Sequence, residues 1–228
     1  MRPALRFLSR VLILAGVMLV VDAALTVLWQ EPVTAIYGRI HQDRLGGDLK
    51  RLERAGPTPQ EAQVLGRLQA DAARIAFLAR AERRRARDGQ AIGRIRIPRI
   101  HANYVMVEGT DHAALAKGPG HYPATPFPGM PGTVGVAGHR TTYLAPFNKL
   151  DELRKGDSVD IDMPYASIRY RVESTRIVSP TALWVTKRVG YDRLVMTACH
   201  PKYSAAKRIA VFARQVAELP RGVSARTR

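Results

Sequence analysis

The chain has 228 residues, with 36 Lys+Arg against 19 Asp+Glu, a formal net charge of +17 and one cysteine; a single thiol excludes an internal disulfide and any cysteine-cluster metal site. The positive charge favours an anionic setting such as lipid headgroups or cell-wall polymer. It is spread along the chain with no Walker, zinc-finger or RNA-recognition motif beside it, so nucleic acid is not expected as a partner.

Arg2, Arg6 and Arg10 precede an apolar run from Val11 to Trp29, interrupted only by Asp22 and Thr26. As a helix this run rises roughly 28 Å, about one hydrocarbon core. No basic residue follows it until Arg39. The positive-inside rule then places residues 1–10 in the cytoplasm, 11–29 in the membrane as a single pass, and the remainder outside the cell. A cleaved signal peptide is the rival, but its apolar core is usually shorter.

Residues 30–90 read as a helical stalk. Leu45, Leu49 and Leu52 share one helical face. Gly56-Pro-Thr-Pro59 breaks the chain, and Thr58 with Glu61 matches a capping box with Pro59 at the first helical position. Leu65, Leu68, Ala72, Ile75 and Ala79 continue the helical spacing. Arg80, Arg83, Arg84, Arg85 and Arg87 then close the helix, where cations suit its dipole. Nothing in the sequence assigns the stalk a regulatory role.

From residue 91 the texture becomes β, and residues 91–217 read as one mainly β domain. Gly93-Arg-Ile-Arg-Ile-Pro98 alternates as a half-buried strand, and 104–107 is a second one. Residues 111–117 read as a helical turn or two. Residues 118–132 hold five prolines and four glycines, which predicts loop. Further strands are expected at 133–137, 158–161, 168–178, 194–198 and 208–216. Many short strands with Gly/Pro turns point to a closed barrel or a sandwich. Residues 218–228 are expected to be a disordered tail.

Three residues at strand edges carry chemistry. Cys199 ends the apolar run Leu194-Val-Met-Thr-Ala-Cys199, His139 follows the strand at 133–137, and Arg208 opens the last strand. A thiol attacks carbonyls, an imidazole moves protons and a guanidinium holds an oxyanion. In extended chain His200 and Lys207 point away from their neighbours Cys199 and Arg208. His41, His101, His112 and His121 read as polar loop or surface groups. Asp151, Glu152, Asp157, Asp160 and Asp162 form an acidic edge without an EF-hand pattern, so no metal and no cofactor are expected.

The pieces Gly93-Arg-Ile-Arg-Ile-Pro98, Val107-Glu-Gly-Thr110, Gly118-Pro-Gly-His-Tyr-Pro123, Ala137-Gly-His-Arg-Thr-Thr-Tyr143, Ala145-Pro-Phe147 and Cys199-His-Pro201 with Ser204-Ala and Arg208 resemble, in this order and spacing, the sortases. They are most similar to the class E sortases of actinobacteria. One departure is Ala198, where sortases usually place Thr before the cysteine; Thr197 comes one residue earlier. The resemblance implies an eight-stranded β-barrel over 91–217. It also implies a cysteine transpeptidase with Cys199, His139 and Arg208 as the reacting groups. Its substrates would be secreted proteins bearing a Leu-Ala/Pro-x-Thr-Gly sorting signal, cut between Thr and Gly. The acceptor would be a peptidoglycan precursor amine. Tyr143, Thr197, Ala198 and Trp184 would line the substrate groove. A pilin-polymerising sortase, a hydrolase and a non-enzymatic membrane-tethered scaffold are the alternatives.

Overall fold

Alternation turns the second half of the chain into a barrel. In the computed structural model, which describes residues 2–29 and 32–224, eight strands close on themselves in the order β1-β2-β3-β4-β7-β8-β6-β5. They are β1 (Ala91–Ile97), β2 (Ala102–Glu108), β3 (Gly120–His121), β4 (Thr133–Ala137), β5 (Ser158–Asp162), β6 (Ala166–Val178), β7 (Arg193–His200) and β8 (Lys207–Pro220). The expected eight-stranded barrel is therefore present. Every second residue faces inward: Ile95 and Ile97 on β1, Val134 and Val136 on β4, Leu194, Met196 and Ala198 on β7, and Ile209, Val211 and Ala213 on β8 share one buried cluster. Burying such side chains stabilises by about 1.5–3 kcal/mol each.

Two pairings are parallel, β2 with β3 and β4 with β7. The other six are antiparallel. Strand β3 lies inside the segment expected to be all loop. Its two residues bridge β2 and β4, and a side chain at Gly120 would run into the Gly109 carbonyl. His121, expected as a polar loop or surface group, is a fully buried strand residue. Its Nδ1 lies 2.8 Å from the Glu108 carboxylate and its Nε2 3.0 Å from the Pro126 carbonyl. A short Pro/Gly-rich strand has no room for apolar alternation, so this buried polar pair does the anchoring.

The helices are α1 (Arg2–Trp29), α2 (Pro32–Ala55), α3 (Pro59–Arg67), α4 (Asp71–Arg85) and the single turn α5 (His112–Leu115). Within α1, Ala4–Ala24 has a mean hydropathy of 2.1, long and apolar enough to cross a membrane. The capping box is in place: the Thr58 hydroxyl accepts from the Glu61 amide, and the Glu61 carboxylate accepts from the Thr58 amide. The helix expected to run on from Pro59 is split, because the chain is extended at Leu68 and Ala70. Nor is the segment a free stalk. Leu65, Ile75, Leu78 and Ala79 join the barrel core, while Leu45 and Leu49 pack on Val105, Val107 and Ala114. Arg85, from the arginine run, is shared by Glu61 and Glu82.

The chain end differs from the expected tail. β8 continues to Pro220, and Gly222–Ser224 form a helical turn. The buried Ser224 hydroxyl donates to the Tyr165 carbonyl, and its own carbonyl accepts from Arg74 Nε at 2.8 Å. Residues 225–228 lie outside the described residues.

Glu218 on β8 is half-buried beside Tyr165 at the end of the barrel packed by α4. Burial, aided by the charge of Asp192, pushes its carboxyl from an ordinary 4.5 up to about 7. The folded protein thus keeps this proton at a pH where the unfolded chain releases it. The resulting stability is complete below about pH 4.5 and is lost as pH rises toward and through 7. Glu218→Gln is expected to flatten the fall in unfolding temperature between pH 5 and pH 8; an unchanged pH dependence in thermal scans would contradict the assignment.

Candidate active site

Strand register brings two of the three sequence-selected residues together. Cys199 on β7 is directly opposite Arg208 on β8. Residues so paired carry their Cβ atoms about 4.5–5.5 Å apart on the same face. That face is the outer one, because Ala198 and Ile209 between them point into the core. On the other side of β7, Ala137 of β4 is level with Thr197, and the Gly138 amide continues the ladder by donating to the Thr197 carbonyl at 3.0 Å. His139 follows at once, one residue beyond that bond and beside the end of β7. Thiol strand, imidazole loop and guanidinium strand are thus three neighbours at one end of the barrel wall.

The loop carrying His139 is fixed at both ends. The Phe147 amide donates to the His139 carbonyl at 3.1 Å, and Phe147 is fully buried. A Cβ on Gly138 would stand 2.6 Å from the Phe147 ring, so only glycine allows this approach. Arg140 is 3 % exposed and ties the loop to β7. Its Nη1 donates to the Cys199 carbonyl at 3.4 Å and to His200 Nδ1 at 2.9 Å, while Nη2 meets Asp151 at 2.7 Å. His200 therefore faces away from the groove and serves the scaffold. Arg140 is a functional residue whose one sequence signal is its place directly after His139. The acidic edge is dispersed among arginines: Asp151 to Arg140, Asp160 to Arg169 and Asp162 to Arg96.

Among the described residues His139 Nε2 is buried and has no hydrogen-bond partner. Its ring stands 5.1 Å from that of Tyr143 and 6.4 Å from that of His112. Burial pushes the His139 imidazole below its ordinary 6.5, and a second positive charge on His112 would oppose its protonation further. Arg208 is half-buried, and its Nη1 donates to the carbonyls of Ala205 and Lys207 in its own turn.

The expected groove residues divide. Tyr143 covers the imidazole, in a left-handed conformation with φ 49°. Thr197 is on the outer face beside Cys199, but its hydroxyl is 2.7 Å from that of Tyr122, which packs over Gly135. Tyr122 was not anticipated and forms a wall here. Ala198 is a correction: it alternates inward, is 3 % exposed and belongs to the barrel core. Trp184 sits in the β6–β7 connection, stacked on Phe212 at 6.0 Å and 43 % exposed. Phe212 is four residues along β8 from Arg208, about 13 Å at strand rise. Between them Val185 covers Val195 and Ala210. Trp184 therefore flanks the far end of this face.

A sequence profile described as the sortase domain matches residues 95–216, more than half of the chain. Sortase D of Bacillus subtilis is 35 % identical over 133 residues, which are 56 % of this chain and 65 % of that relative. Just under two thirds of the relative's length is therefore spanned. Among solved structures, sortase E from Streptomyces avermitilis is 32 % identical with a TM-score of 0.54, covering 59 % of this chain and 93 % of the other. Sortase E1 from Streptomyces coelicolor, solved with a tripeptide in its active site, is 26 % identical with a TM-score of 0.56, covering 58 % and 91 %. The similarity to actinobacterial sortase E expected from the motifs is found, with sortase D beside it.

Removing His112 takes away a charge that disfavours the protonated form of His139. His112→Asn is expected to raise the His139 pKa toward 6.5, read by NMR titration of the imidazole C–H signals. A fixed or lowered midpoint would show that His112 does not act on this ring.

Proposed function

The chain belongs to the sortase family, and on that premise we propose that it is a membrane-anchored cysteine transpeptidase acting outside the cell. The observation that carries this reading is the alignment of His139, Cys199 and Arg208 across three adjacent strand ends. The reacting form of Cys199 is the thiolate. It attacks the carbonyl carbon of the Thr–Gly bond in a Leu-Ala/Pro-x-Thr-Gly sorting signal on a secreted protein. The carbon–nitrogen bond breaks, and His139 gives a proton to the departing glycine amine. A thioester remains on Cys199. The amine of a peptidoglycan precursor then attacks it, His139 takes back a proton, and the carbon–sulfur bond breaks to leave an amide.

Arg208 supplies fixed hydrogen-bond donors and a permanent charge for the developing oxyanion. To do so its guanidinium exchanges the carbonyls of Ala205 and Lys207 for the substrate oxygen. That switch costs little, since both contacts are exposed. The peptide bound in the sortase E1 relative is consistent with a peptide substrate. Tyr143 beside His139 and the exposed Trp184 are placed to read it, whereas Thr197 is 4 % exposed and its hydroxyl holds Tyr122. With α1 as a single-pass anchor, Arg2, Arg6 and Arg10 mark the cytoplasmic side, the membrane lipid holds the span, and the barrel lies on the outer face.

Incubation of the full chain with Leu-Ala-x-Thr-Gly and Leu-Pro-x-Thr-Gly peptides is expected to give an acyl adduct on Cys199 in intact-mass spectra. The adduct is absent in Cys199→Ala. Arg208→Ala is expected to lower kcat by about 100-fold with a smaller effect on KM. Amide product with an added amine identifies a transferase, and free acid alone a hydrolase. No adduct with either peptide would defeat the proposal.

A further inference from the structure

Residues 1–94 lie outside the matched sortase region, yet α2 meets the His139 loop at its most unusual point. Tyr143, Leu144 and Ala145 are three consecutive residues with positive φ, at 49°, 65° and 42°. Side chains rarely accept this left-handed region, and such strain persists only where surrounding structure imposes it. α2 supplies that surround. The Thr34 hydroxyl accepts from the Tyr143 amide at 3.3 Å. The Tyr37 ring stands edge-on to that of Tyr143 at 5.9 Å, and lies 4.2 Å from His41. Gly38 has no side chain where one would meet Leu144, its Cβ position being 2.9 Å from Leu144 Cγ.

The turn so held lies on His139, whose Nε2 is buried and has no hydrogen-bond partner among the described residues. An imidazole that exchanges protons with a bound peptide through Nε2 must expose that atom or hydrogen-bond it. Access to Nε2 is therefore closed, and the arrangement contains two unfavourable features, the left-handed run and the orphan nitrogen. Both would be relieved by opening. α2 has a second, separate attachment further along. Gln42 donates to the carbonyls of Val105 and Lys117 and accepts from the Val105 amide, and Leu45 and Leu49 are buried beyond it. The first turns can lift from the loop while the rest of the helix stays docked.

We infer that the start of α2 is an autoinhibitory latch: Thr34, Tyr37 and Gly38 hold the 143–145 turn closed over the His139 imidazole, and lifting them opens the site. They act through the loop, as positioning residues. The catalytic meaning of this latch rests on the function proposed above, but its physical core, a buried imidazole Nε2 beneath the 143–145 turn, does not.

The test uses the full chain in detergent micelles, with Tyr37→Ala, and with Gly38→Leu to push the helix off Leu144. Diethyl pyrocarbonate modification of each histidine is followed by peptide mapping, with His101 in the exposed β1–β2 turn as internal reference. Modification of His139 is expected to be slow in the unaltered chain. It should rise about fivefold in both variants, the scale of losing one aromatic contact. His101 should not change. Equal His139 rates in all three proteins, or an unaltered chain in which His139 reacts as fast as His101, would overturn the latch. Tyr37→Ala removes side-chain atoms only, so it keeps the test valid if Gly38→Leu misfolds. The same variants should raise kcat/KM for peptide cleavage; a fall would make α2 a prop for the loop and refute the latch. If no protein forms an acyl adduct, the transpeptidase reading fails, while the His139 modification rates still decide the latch.

Discussion

Strand β7 is the element against which every part of the candidate site is registered. It pairs in parallel with β4 and antiparallel with β8. The first pairing delivers the chain leaving β4 to the end of β7, and the second sets Arg208 across from Cys199. Because side chains alternate, a slip of one residue on β7 would send Cys199 into the core and bring Ala198 out. The apolar residues Leu194, Met196 and Ala198 forbid that slip. The same packing that stabilises the barrel thus fixes which face the thiol occupies.

Polar anchors complete what register begins. Arg140 binds the backbone of the thiol strand, the ring of His200 and the Asp151 carboxylate from a nearly dry position. Arg140 is buried while the Asp151 carboxylate is half-exposed, so the backbone and ring contacts carry more of this anchor than the solvent-screened ion pair does. His121 with Glu108 does similar work for β3, the shortest strand. In both anchors a buried side chain ties neighbouring segments together from within. The N-terminal helices add a layer from outside: α4 closes one end of the core, and α2 reaches the loop that covers His139.

Much of this was legible in the sequence, for identifiable reasons. β4 was found residue for residue because five small and branched residues lie between turn-forming neighbours. The Thr58–Glu61 cap was legible because its two hydrogen bonds are local. β3 was missed because its pairing depends on partners far along the chain rather than on its own composition. Ala198 was misplaced for lack of a stated phase; alternation from Cys199 directs it inward. The part played by α2 had no local signature. Thr34, Tyr37 and Gly38 are ordinary helix residues, and their meaning comes from contacts more than 100 positions away.

The His139 loop is clamped at its two ends. Gly138 and Phe147 interlock at its base, and one backbone bond from Phe147 to His139 shuts the ring. Whatever occupies positions 141–146 is carried on a closed frame whose footing does not depend on it. On the function proposed, residues there can change while His139 keeps its address, so new substrate preferences could be explored without dismantling the chemistry.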